Sequence, residues 1–153
     1  MRKREITIIC VVGLMFLTVL LVAGCTSQFQ KLPESKVDAG MKSVAKRIAT
    51  NILEAQRDGR FEPLGGEATA AMRSALTPEK QKETCESIKG MFGDFQSIEY
   101  VETHVPTDGS QLVIYRFRGH FSKSRARPEI RVVMDDKGKL AGFWIKPWRA
   151  KVQ

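Results

Sequence analysis

At Gly93 the hydrophobic pattern of the chain changes period, and this break constrains the fold more than any other feature. Before it, apolar residues recur at helical spacing: Val37, Met41, Val44, Ala45, Ile48, Ala49, Ile52 and Leu53 share one helix face. After it, apolar and polar residues alternate, which is the two-residue period of a half-buried strand. Helices followed by a run of strands specify an α+β domain, in which one apolar sheet face is covered by helices.

The spacing predicts a first helix from Lys36 to Asp58, with Ser35 as N-cap and Gly59 in the left-handed position beyond its end. A short second helix fits Gly66 to Leu76. Thr77-Pro78-Glu79 opens a third, with Thr as N-cap, Pro in the first turn and an acid at the positive end of the helix dipole. Its apolar stripe is Cys85, Ile88, Met91 and Phe92. A reactive thiol needs exposure and a lowered pKa, so Cys85 on this stripe is expected to be a small core side chain.

Four strands are expected: Phe95–His104, Gln111–Ser122, Glu129–Asp135 and Lys139–Lys146. Pro106-Thr107-Asp108-Gly109 and Asp136-Lys137-Gly138 turn the chain, and such short connections make an antiparallel meander that Pro147 closes. Alternation assigns Val113, Tyr115, Phe117 and Phe121 to one face and Arg116, Arg118 and His120 to the other. Ile130, Val132 and Met134 oppose Arg131, while Ala141, Phe143 and Ile145 oppose Leu140 and Trp144. One face is thus apolar and the other mixed and basic.

The first residues are of a different kind. Met1-Arg2-Lys3-Arg4 precedes an apolar stretch from Ile6 to Ala23, the pattern of a secretory signal, although its length also borders on that of a membrane span. Val22-Ala23-Gly24-Cys25 resembles the lipobox of bacterial lipoproteins. That resemblance implies cleavage before Cys25, a diacylglyceryl group on its thiol and acylation of the new amino group. Residues 1–24 would then be a signal peptide, 25–35 a polar tether and 36–150 the folded domain. Thr26 is not the Asp that signals inner-membrane retention, so the expected site is the outer membrane, facing the periplasm, if the cell is Gram-negative.

Of the three cysteines, Cys10 would leave with the signal and Cys25 would carry lipid, so Cys85 would have no partner for a disulfide. The net charge of +8 first suggests nucleic acid. Residues Arg2, Lys3, Arg4 and Glu5 hold two units of it, and a protein facing away from the cytoplasm does not meet cytoplasmic nucleic acid.

The domain resembles a small secreted bacterial domain of unknown function that often stands beside α/β-hydrolases, in the nuclear-transport-factor-2-like, cystatin-like superfamily. The residues that carry the likeness are Arg57-Asp58-Gly59-Arg60-Phe61, Ala75-Leu76-Thr77-Pro78-Glu79-Lys80, Phe95-Gln96-Ser97-Ile98-Glu99 and, above all, Arg131 through Phe143. The resemblance implies a curved four-stranded meander wrapped on helices around a cone-shaped cavity, and no set activity. The chain holds no G-x-S-x-G, hence no nucleophile elbow.

No catalytic constellation emerges from the residues. His104 has Glu102 two residues away on the same strand face, and His120 has no acid near it in sequence; neither pattern makes a triad or a zinc site. No catalytic residue, metal or cofactor is therefore expected. The candidate contacts for an anion or a lipid headgroup are Arg116, Arg118, His120, Arg125, Arg127 and Arg131, with pairing to Glu99, Glu102 and Glu129 on a solvated face as the plainer account. The expectation is a membrane-anchored, non-catalytic binding or interaction module whose partners are membrane lipid through Cys25 and an envelope protein or small anionic ligand. The alternative is a small cavity enzyme, an isomerase or hydrolase-like activity using a buried acid or His.

Overall fold

The computed structural model describes residues 28–123, 125, 127–150 and 152. The expected signal sequence and Cys25 lie outside these residues. No helix among the described residues is long and apolar enough to cross a membrane.

The chain forms strand β1 (Phe29–Lys31), a 3-10 turn (Glu34–Lys36), helices α1 (Ala39–Arg57), α2 (Ala70–Ala75) and α3 (Pro78–Phe92), and strands β2 (Phe95–Pro106), β3 (Val113–Phe121), β4 (Glu129–Met134) and β5 (Leu140–Lys146). The sheet is open, antiparallel and five-stranded, in the order β1-β2-β3-β4-β5. The α+β class follows the sequence, but the four-stranded count does not. β1 falls inside the segment read as a tether, where three residues are too short for alternation to register. Phe29 pairs with Pro106 and Lys31 with His104.

Helix α1 starts later than its apolar period suggested. Asp38, not Ser35, is the N-cap, and its side chain accepts from the Met41 N–H at 2.8 Å. Glu34–Lys36 is taken by the 3-10 turn, which removes Ser35 from the capping position. At the other end Gly59 has φ +74°, as its left-handed role requires. Thr69 caps α2 and Thr77 caps α3, each accepting from the backbone N–H three residues on. Gln81, buried on α3, donates to the carbonyls of Glu62 and Leu76 and so ties down the connection between α1 and α2.

The helices cover one sheet face with a single apolar cluster. Ala45, Ile48, Ala49, Ile52 and Leu53 of α1 meet Tyr115, Phe117, Ile130, Val132 and Met134 of the sheet. Phe121 packs edge-on to Phe95 at 5.6 Å and tilted to Phe92 at 5.9 Å. Two stripe assignments change. Met91 is 59% exposed, because the buried stripe of α3 runs through Gln81, Ile88 and Phe92 and leaves this position outside it. Leu140 is fully buried on the helix side, because a bulge between Val133 and Met134 shifts the β4–β5 register. Leu140 also exchanges backbone bonds with Glu67 and Thr69, fixing the entry of α2 to the sheet.

Candidate functional site

The sheet face away from the helices carries the charged residues. Register places Glu102 beside Arg116, Arg116 beside Arg131, Arg131 beside Trp144 and Glu129 beside Lys146. The short turns force these strands into direct neighbours, and alternation sends all six side chains to one face.

This face is not simply solvated. Arg116 and Glu129 are fully enclosed, and Arg131 is buried. Glu129 bridges two arginines, accepting from Arg116 Nη2 at 2.8 Å and from Arg131 Nε at 2.8 Å. Arg116 also donates to Glu102 and to the Arg149 carbonyl. Glu102 in turn meets Lys31 Nζ of β1 at 2.8 Å and His104 Nε2 at 3.1 Å. Burial alone would raise the Glu102 carboxyl, but hydrogen bonds from Lys31, His104 and Arg116 outweigh it and hold the group at about 2. Burial likewise opposes ionisation of Glu129, and its two arginines again win, leaving its pKa below the usual range.

Trp148 lies over this network. Its ring stacks on the guanidinium of Arg116 at 4.4 Å and of Arg118 at 4.6 Å. The sequence ended the sheet at Pro147 and gave Trp148 no task, since a cation–π contact has no sequence period.

The structure therefore divides the six basic candidates. Arg116 and Arg131 are inside the ion network, with Arg116 spent on Glu102, Glu129 and a backbone carbonyl. Arg118 is half-buried under Trp148. His120 faces Glu99 across the strands, with Nε2 3.7 Å from Oε2, an acid that lay far from it in sequence. Only Arg125 and Arg127, in the loop between β3 and β4, stand in solvent. The expected pairing with Glu99, Glu102 and Glu129 is present; the expected solvation fails for Arg116, Arg131 and Glu129. Five strands, the tail around Trp148 and Arg149, and a bulged β2 close over the sheet centre in a way that alternation cannot show.

Next to the network the same face opens into a cleft of about 670 Å³. Ile114, Val133 and Trp144 form apolar walls, Phe29 and Leu112 flank them, Arg131 and Lys146 supply cations and Asp108 a carboxylate. Trp144 is 51% exposed. It lies flat along the sheet because Gly142 offers no side chain; a Cβ there would collide with the indole and stand 3.3 Å from Val133 Cβ. Burial, with Arg131 beside it, pushes the Lys146 amine below its ordinary pKa. The sequence named Trp144 only as a face assignment and did not mark Lys146, because neither sits in a motif.

Cys85 is half-buried between α1 and α3, its thiol donating to the Gln56 carbonyl at 3.5 Å. Burial raises its pKa, so the thiolate that reactivity requires is disfavoured. Asp135 orders the β4–β5 turn, accepting from the Lys137 and Lys139 N–H groups at 3.0 and 2.7 Å. Among the described residues no three His, Cys, Asp or Glu side chains converge as a metal site would need.

The fold has a solved counterpart. A protein from Ruminococcus gnavus ATCC 29149, determined by NMR, is similar over 76% of this chain and 96% of its own, with a TM-score of 0.50 and 15% identity. No curated protein matches the sequence. The pattern of one family matches residues 49–143, from the middle of α1 to β5, and spans the helices, the meander and the Gly138 turn. On that match the chain belongs to the family described as "Protein of unknown function (DUF3887)".

Proposed function

We propose that this protein is a lipoprotein of the cell envelope, anchored through Cys25, whose domain is a non-catalytic binding module of the nuclear-transport-factor-2-like, cystatin-like kind. The observation that carries the binding reading is the cleft: about 670 Å³, within the usual ~300–1,000 Å³ of ligand sites, with apolar walls and cations at one side. The acids nearest to it favour binding over catalysis. A cavity acid that works as proton donor near neutral pH has a raised pKa. Asp108, which lines the cleft, is instead held below its ordinary range by hydrogen bonding to Ser110, and Glu102 and Glu129 in the adjoining network are held ionised by arginine, lysine and histidine neighbours.

The anchor rests on the basic start, the apolar run and Val22-Ala23-Gly24-Cys25. Two or three acyl chains hold a protein at a membrane, at about 0.8 kcal/mol per buried methylene. Arg125 and Arg127, exposed in one loop, are the remaining candidates for headgroup contact, at about 1 kcal/mol each near an anionic surface. Mass spectrometry of the membrane fraction tests the anchoring. A diacylglyceryl group on an N-terminal Cys25 is the expected result; an intact Met1 or an unmodified Cys25 overturns it.

A further inference from the structure

We infer that the cleft on the helix-free sheet face binds a single-chain anionic amphiphile, its apolar chain along Ile114, Val133 and Trp144 and its anionic head at Lys146 beside Arg131. This inference deepens the binding reading and rests on it.

The walls set the chain. Ile114 and Val133 are cross-strand partners, and the indole of Trp144 lies along the sheet next to them. A half-exposed tryptophan beside two aliphatic side chains makes an apolar surface that an alkyl chain covers more favourably than water does. The charges set the head. Both oxygens of Glu129 are spent on Arg116 and Arg131, and no carboxylate among the described residues pairs with Lys146. Asp108, the carboxylate that lines the cleft, accepts from the Ser110 N–H at 2.9 Å. Lys146 thus sits part-buried beside another cation, and an anion in the cleft supplies what no described carboxylate does. The two chemistries lie side by side in one site, which selects a molecule with both.

Position gives a second reason. Gln28 and Phe29 stand at the cleft rim, and Gln28 follows Cys25 by three residues. Three residues span at most about 11 Å. A lipid on Cys25 would therefore hold the cleft next to a bilayer, where single-chain amphiphiles are concentrated.

The test uses the full chain in phosphatidylcholine vesicles with a palmitate that carries a diazirine in its alkyl chain, alongside the matching alcohol. Photolysis with the acid is expected to label the peptides holding Ile114, Val133 or Trp144, and the alcohol is expected to label them about tenfold less, the worth of one charge-assisted contact. Lys146→Glu is expected to remove the preference for the acid. Trp144→Ala, at a half-exposed position, is expected to cut labelling by both probes without lowering the melting temperature. Equal labelling by acid and alcohol overturns the anionic head, and labelling confined to other peptides overturns the site. Should Lys146→Glu fail to fold, the acid-to-alcohol ratio and Trp144→Ala decide. An unlabelled cleft on a chain whose Cys25 carries lipid ends this inference and leaves the anchor standing; a labelled cleft on a chain with unmodified Cys25 does the reverse.

Discussion

Arg116 Nη2 lies 2.8 Å from Glu129 Oε2, and neither side chain is exposed. An ion pair in this position gains strong attraction in a poorly polarisable interior, and each partner loses its hydration. What keeps it favourable is the count of partners. Glu129 serves two arginines, and Arg116 serves two carboxylates, a backbone carbonyl and the face of Trp148. The network is therefore sensitive to losing any single member.

Removing Glu129 should be severe. Glu129→Ala leaves Arg116 short of one carboxylate and Arg131 without its Nε acceptor, both inside the protein. The expected loss is about 3–5 kcal/mol. For a domain of this size each kcal/mol moves Tm by roughly 4–8 °C, so a drop beyond ~12 °C is expected in a thermal melt. A change under ~1 kcal/mol would show that the network is not structural.

Acid should release the same network from the other side. Glu102 sits at about 2 in the folded protein against an ordinary value of 4.5. A carboxyl whose pKa is depressed by folding contributes stability above its unfolded pKa, and that contribution is lost as pH falls towards the folded value. Glu129 shifts in the same direction. Urea midpoints are thus expected to be flat from pH 8 to about 5 and to fall between roughly 4.5 and 2, with Glu102 accounting for about 3 kcal/mol. Glu102→Gln should lower stability at neutral pH and shrink the acid-dependent loss. An unchanged slope in that variant would assign the acid sensitivity elsewhere.

Trp148 should report on the arginines beneath it. Trp148→Ala takes the ring away from two guanidiniums at once, a loss of about 1–2 kcal/mol. Since Trp144 is the other tryptophan in the chain, its fluorescence should remain near its native wavelength in the variant while the Trp148 contribution disappears. A native-like Tm would mean that the stack is incidental.

Gly93 is the backbone hinge from α3 into β2. It has φ +86°, and a Cβ there would strike Ser122 Oγ and approach the Lys123 backbone N to 2.7 Å. Gly93→Ala is expected to cost about 1–3 kcal/mol, from strain and the displaced β3 end together. Gly65, with open space around it and no positive φ, provides the control: Gly65→Ala should be nearly neutral in the same denaturation experiment.

Much of the fold was legible because it depends on local pattern. The α1 stripe, the Thr77-Pro78 start, the Gly59 and Gly93 stops and the alternation of β3 and β4 each arise from residues a few positions apart. The errors came from effects with no local signature. β1 takes its register from β2, whose paired residues lie some seventy positions further along. The bulge before Met134 moves Leu140 to the helix side, and only pairing with β4 decides where that bulge falls. The site was legible in its residue types and not in its arrangement. Arg116, Arg118, His120 and Arg131 are visible in the sequence as basic residues on one face; which of them is enclosed depends on Glu102, Glu129 and Trp148 arriving from elsewhere in the chain.

By itself, then, the sequence determined the α+β class, the helix boundaries to within a few residues, the apolar face and the identity of the charged one. Period and capping are consequences of backbone geometry acting over a turn or a strand, so they can be read without the rest of the molecule. The tertiary structure decided the fifth strand, the burial of Arg116 with Glu129, and the opening of a cleft beside Trp144 and Lys146. Burial and electrostatic partnership depend on which strands become neighbours and on what covers them, and those are properties of the assembled sheet rather than of any stretch of chain.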